Sequence, residues 1–191
     1  MLGNNGKGNI PSRDMWQTPQ KLWDKLNKQY NFLTDCCADD ENRKCDHYYT
    51  KEKPFEDFNS FTKISGCWMN PPFSLSFEMF KHFFKVVSGG VAIYRCDNME
   101  TKIWQDIILK SADWIFIPKG RICYEGMEGK GSRFPSALIG IGVKPPIGFN
   151  GIILNIHKPE VDRCSPLDDK QDGGNGIPPT NKLVGILPKR L

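Results

Sequence analysis

The chain has 191 residues, 39% hydrophobic and 25% charged, with a formal net charge of +4. That size and composition suit one soluble domain with a real core, and no run approaches the roughly 20 apolar residues of a membrane helix. The modest positive charge permits nucleic-acid binding without requiring it, so the functional reading has to come from motifs.

Residues 1–14 are rich in Gly and Asn, lack the apolar stretch of a secretory signal and read as a disordered arm, which points to a cytoplasmic protein. The segment TPQKLWDKLNKQY predicts a helix, with Thr18 as its cap, Pro19 at its first position and Leu22, Trp23 and Leu26 on one face. NFLTDCCA follows as a short apolar strand ending in an acid. A polar stretch runs from there to about residue 60 and contains the aromatic patch HYYT, which reads as a packed cluster. ISGCWMN predicts a buried strand that stops at Pro71-Pro72, and SFEMFKHFFKVV an amphipathic helix. GGVAIYRC, WIFIP, SALIGIGV and GIILNI read as strands, with a helix at ETKIWQDIILKSA. The last two strands, joined by KPPIGFN, suggest an antiparallel hairpin at the end of a mostly parallel sheet. This is an α/β chain with one domain over residues 15–156 and an irregular extension, rich in Pro, Gly and Asp, over 157–191.

The seven cysteines are odd in number and form no paired zinc-type spacing. They read as reduced, mostly buried thiols, and no metal site is expected. His47, His82 and His157 are scattered and take no role.

Asn70-Pro71-Pro72-Phe73 carries the chemistry. It stands directly after an apolar strand and before a helix, at the strand end where α/β sheets bind ligands. An adenine amino group is a poor nucleophile because its lone pair is delocalised into the ring. Acceptors around that NH2 help the nitrogen become tetrahedral and attack a methyl sulfonium. The Asn70 side-chain oxygen and the Pro71 carbonyl are such acceptors. Pro71 and Pro72 fix the backbone that aims them, and Phe73 offers a ring to a base flipped from the duplex. The plain alternative is a strand followed by an ordinary Pro-Pro turn.

With these residues in view, the chain resembles the small phage-type DNA N-6-adenine methyltransferases (Dam-like). NPPF matches the [DNS]-PP-[YFW] signature of amino-methyltransferases. Trp16-Gln17-Thr18-Pro19, Asp35-Cys36-Cys37-Ala38, Gly120-Arg121-Ile122 and FPSALIGIG follow the family order over about residues 14–143. The resemblance implies a Rossmann-like domain that uses S-adenosyl-L-methionine to methylate N6 of adenine in double-stranded DNA. It implies that Thr18 and Pro19 approach the methionine end of the cofactor, with Cys37 beside them. Asp35 would bind the cofactor amine, and the Asp57-Phe58 pair would hold its adenine.

Two departures stand out: Cys36 replaces the family's proline, and no GxG follows Asp35. The second strand must be short or absent, and the acid for the cofactor ribose is left between Asp39 and Asp46. Thr18-Pro19 also reads as a helix start, Asp35 as a cap, and Asp57-Phe58 as a solvated acid beside a core ring. RNA adenine, cytosine N4 and protein glutamine are alternative substrates within the same chemistry. A non-catalytic nucleic-acid-binding relative is the alternative outside it. The Gly-rich stretch after WIFIP carries Arg121, Lys130 and Arg133, the candidate DNA contacts.

Overall fold

The computed structural model describes residues 14–125, 132 and 134–156. Seven strands form one mixed sheet: β1 Thr34–Asp35, β2 His47–Tyr48, β3 Ile64–Met69, β4 Val87–Arg95, β5 Trp114–Pro118, β6 Ser136–Ile141 and β7 Gly151–Asn155. Their order across the sheet is β2-β1-β3-β4-β6-β5-β7. The β1–β2, β1–β3 and β3–β4 pairs are parallel, while β4–β6, β5–β6 and β5–β7 are antiparallel. The sheet is therefore half parallel rather than mostly so. The expected terminal hairpin is corrected as well, because β5 lies between β6 and β7 and pairs with both. β5 supplies an apolar edge to each neighbour, which a hairpin of β6 and β7 would leave without a partner. The short second strand occurs as the two residues of β2, inside the HYYT patch.

Side chains alternate across the sheet with the period of two that strands impose. Cys67, Met69, Ala92, Ile115 and Ile139 enter one buried cluster, and Trp68, Val91, Trp114, Phe116 and Leu138 enter the other. Burial on both faces explains why these strands read as continuous apolar runs. Helix α1, Gln20–Tyr30, covers the second face through Trp23 and Leu26. Helix α2, Ser76–Val86, covers the first through Met79, Phe80, Phe83 and Phe84. A helical segment of π geometry, Ile103–Ile108, continues into the short α3, Leu109–Ser111, on that same face. Gly140 in β6 is required by packing, since a Cβ there would come within 2.0 Å of the Trp114 ring.

The start of α1 differs from its sequence pattern. Pro19 occupies the cap position and the helix begins at Gln20. Thr18 does not cap it; the Glu125 carboxylate instead accepts from Gln20 N at 2.7 Å. Of the arm expected over residues 1–14, only Asp14 is described, and the extension over 157–191 lies outside the described residues.

Candidate active site

Parallel pairing brings the carboxyl ends of β1 and β3 side by side. Asp35 stands opposite Trp68, and Asn70 follows β3 immediately. A cavity of about 550 Å³ opens there. Of the residues singled out by sequence, it brings together Thr18, Asp35, Cys37, Asn70 and Pro72 in its wall.

Asn70 is held by a residue far away in sequence. Its Nδ2 donates to the carbonyl of Trp16 at 3.0 Å. That bond decides which way the amide faces, and its Oδ1 takes no hydrogen bond from any described residue. Pro71 is buried and Pro72 half-buried. The Pro72 carbonyl accepts from Leu75 N at 3.1 Å and closes the turn into α2, whereas no described residue donates to the Pro71 carbonyl. Two acceptors in the turn thus stay free.

Phe73 is not in the cavity wall. It packs edge-on against Trp16 and Phe134, at 6.2 and 5.4 Å between ring centroids. Trp16 in turn stacks on Phe134 at 5.7 Å. The Arg95 guanidinium lies 4.8 Å from the Phe134 ring centroid and 6.0 Å from that of Phe73, and Asp97 pairs with it. In this aromatic group, which adjoins the turn, Trp16 and Phe73 are half-buried and Phe134 is buried.

Asp35 is only 2% exposed. Its carboxylate accepts from the backbone N–H groups of Cys37 at 3.2 Å and Lys44 at 3.1 Å. Burial pushes its pKa up to about 7, against the lowering effect of those two donors and of the Lys44 charge. Buried acids with raised pKa values are found at functional sites more often than elsewhere. The Thr18 hydroxyl is buried in the same wall without a hydrogen-bond partner among the described residues. Burial keeps the Cys37 thiol neutral, and its sulfur meets that of Met79 at 3.6 Å. An acid, an orphaned hydroxyl and soft sulfur atoms in one cavity fit the amine, polar groups and sulfonium of S-adenosylmethionine.

The pair expected to hold the cofactor adenine sits elsewhere. Asp57 is exposed and outside the wall, and Phe58 packs on Tyr49 and Phe55. The reason is the 3₁₀ turn Phe55–Asp57, which buries Phe55 and turns Glu56 to the cavity. Pro19 also lies outside the wall, at the helix cap. Of the two ribose candidates, Asp39 lines the cavity and Asp46 is exposed away from it. The Asp39 carboxylate is engaged by Glu41 N, Asn42 N and the Asn42 side chain.

Sequence reasoning missed three contributors: the Trp16 carbonyl, Glu125, and the Phe55-Glu56 wall. Only the first had a signal, because Trp16 begins the WQTP motif. Among the cysteines, expected to be mostly buried, Cys123 is exposed.

β4 and β5 each run antiparallel to β6, so the end of β5 leaves the sheet on the same edge as Asn70. Arg121 follows it, exposed, with Nη1 donating to the Ser132 carbonyl at 3.1 Å. Lys130 and Arg133 lie outside the described residues. No described helix is long and apolar enough to cross a membrane.

No curated protein matches the chain. The family model described as DNA N-6-adenine-methyltransferase (Dam) matches residues 6–136. With the NPPF turn at the edge of an α/β sheet beside its cavity, the chain belongs to the DNA N-6-adenine-methyltransferase (Dam) family.

Proposed function

We propose that this protein transfers a methyl group from S-adenosyl-L-methionine to N6 of an adenine flipped out of double-stranded DNA, on a Rossmann-like domain, in the cytoplasm. The observation that carries the reading is the Asn70 amide, pinned at Nδ2 by the Trp16 carbonyl with Oδ1 left free at the cavity. The cofactor supplies an electrophilic methyl on a sulfonium. Asn70 Oδ1 and the Pro71 carbonyl accept the two N–H groups of the target amine and draw its lone pair toward that methyl. These acceptors are fixed before the reaction, so little reorganisation is left for the transition state. Phe73 and the rings around it stack on the base. As the nitrogen takes the methyl, the carbon–sulfur bond would break and the cofactor would leave as a neutral thioether, while the extra proton of the methylated nitrogen passes to solvent.

For the cofactor, Asp35 pairs with the amine, and Thr18, Cys37 and Pro19 shape the methionine end. Glu56 and Phe55 supply the acid and ring that the sequence assigned to Asp57 and Phe58. Arg121, Lys130 and Arg133 meet the DNA. The test is methyl transfer from labelled cofactor to duplex DNA, followed by nucleoside analysis. Label in N6-methyladenine is the expected result; label in N4-methylcytosine, or none, overturns the proposal.

A further inference from the structure

Residues 14–18 cross the NPPF turn and are fastened to it twice. Asp14 Oδ1 accepts from Ser74 N at 3.2 Å, and the Trp16 carbonyl accepts from Asn70 Nδ2 at 3.0 Å. A third fastening lies just beyond. Gln17 and Glu125 form an isolated antiparallel bridge, with Gln17 N donating to Glu125 O at 3.1 Å and Glu125 N donating to Gln17 O at 2.9 Å. The Glu125 carboxylate then reaches Gln20 N at 2.7 Å and caps α1. One residue therefore holds the peptide on either side of Thr18, and so fixes the place of the Trp16 carbonyl.

We infer that the Glu125 carboxylate is a positioning group for catalysis, acting on Asn70 through Gln20 N and the strap of residues 16–20 that carries the Trp16 carbonyl; this rests on the proposed role of Asn70. An Asn amide has one accepting and one donating end. Without a fixed acceptor for Nδ2, the amide rotates, and half of its orientations present a donor to the N–H groups of the target. Anchoring the Trp16 carbonyl removes those orientations. The same cap at Gln20 N also contributes to folding. A merely structural Glu125 would affect stability alone.

The experiment is a double-mutant cycle on kcat at saturating DNA and cofactor, well below the melting temperature. Glu125→Ala is expected to lower kcat at least ~10-fold, since small misplacements at a reacting group are costly. Glu125→Gln keeps an acceptor for Gln20 N and is expected to restore kcat to within ~2-fold of the parent. Glu125→Asp, one methylene shorter and so a poorer acceptor for Gln20 N, is expected to fall between them and gives a second reading should the alanine variant fold poorly. In an Asn70→Asp background the carboxylate has no donor for the Trp16 carbonyl, so the link through which Glu125 would act is already broken. There Glu125→Ala is expected to change kcat less than ~2-fold, the non-additivity of coupled residues. A parental kcat for Glu125→Ala, or an equal loss in both backgrounds, overturns the inference. Asn70→Ala in the same assay separates the two claims. Near-parental turnover there overturns the proposed function itself, whereas an inactive Asn70→Ala beside a fully active Glu125→Ala removes only the role of Glu125.

Discussion

Asn70 and Trp16 lie 54 positions apart in the chain and are joined by one hydrogen bond, from the Asn70 amide to the Trp16 carbonyl at 3.0 Å. The bond engages the donor end of the amide and leaves the acceptor end without a partner among the described residues, where the proposed reaction needs it. Asn70→Ala removes that acceptor. It is expected to lower kcat by at least ~100-fold, as loss of one pre-organised polar group does in other active sites. Cofactor affinity, measured by calorimetry, is expected to stay within ~2-fold, because Asp35 and Thr18 are untouched. Near-normal turnover would remove Asn70 from the mechanism.

Asp35 makes stability and cofactor binding depend on pH in opposite senses. Burial raises its pKa from 3.8 to about 7 in the folded protein. Between those values the folded state holds a proton that the unfolded chain releases, so stability falls as pH rises and levels off above about 7. A shift of that size corresponds to roughly 4 kcal/mol across the window. Asp35→Asn is expected to flatten this part of the profile, read as the difference between variant and parent in denaturant titrations from pH 4 to 8. Binding runs the other way. A cationic amine favours the ionised carboxylate, so affinity for S-adenosylhomocysteine is expected to rise up to ~10-fold per pH unit below 7, and to lose that dependence in Asp35→Asn. A parallel pH profile for the two proteins would place the amine elsewhere.

The buried Thr18 hydroxyl offers a sharper test, because it has no hydrogen-bond partner among the described residues. Thr18→Val keeps the shape and removes the unsatisfied oxygen. It is expected to leave the melting temperature of the free protein unchanged or higher, since an unpaired buried hydroxyl carries a desolvation penalty of about 1–3 kcal/mol. The same change is expected to weaken cofactor binding ~5-fold or more, through loss of one hydrogen bond. A variant both less stable and unaltered in cofactor affinity would make Thr18 a structural residue only.

Much of this site was legible because its signals are local. The apolar run ISGCWM ending at Pro71-Pro72 defines β3 and its termination, and WIFIP is β5 without adjustment. Asp35 reads as a strand end because an acid closes an apolar run. What was not legible depends on pairing across the chain. β5 enters between β6 and β7 because its register matches both, which no periodicity within the strands reveals. Glu125 caps a helix 105 residues before it. The 3₁₀ turn puts Phe55 and Glu56, rather than Asp57 and Phe58, in the cavity wall. Both rings are Phe, so composition alone does not choose between them.

The last prediction concerns the DNA. The end of β5 leaves the sheet on the edge that carries Asn70, and Arg121 stands exposed beyond it, its Nη1 on the Ser132 carbonyl. That bond orients the guanidinium and still leaves it other N–H donors. Lys130 and Arg133, outside the described residues, follow in the same Gly-rich stretch, and both are expected to meet phosphates, with Arg121 nearer the flipped base. Each phosphate contact releases counterions, so losing one is expected to lower the slope of log affinity against log salt by about 0.9. Lys130→Ala and Arg133→Ala should each show that change in a salt series on duplex DNA. Arg121→Ala, acting nearer the base, should reduce kcat more than it reduces the slope. A surface loop with merely solvated cations would leave the slope as it is in both lysine and arginine variants. The phosphates would then have to be met on another face of the protein.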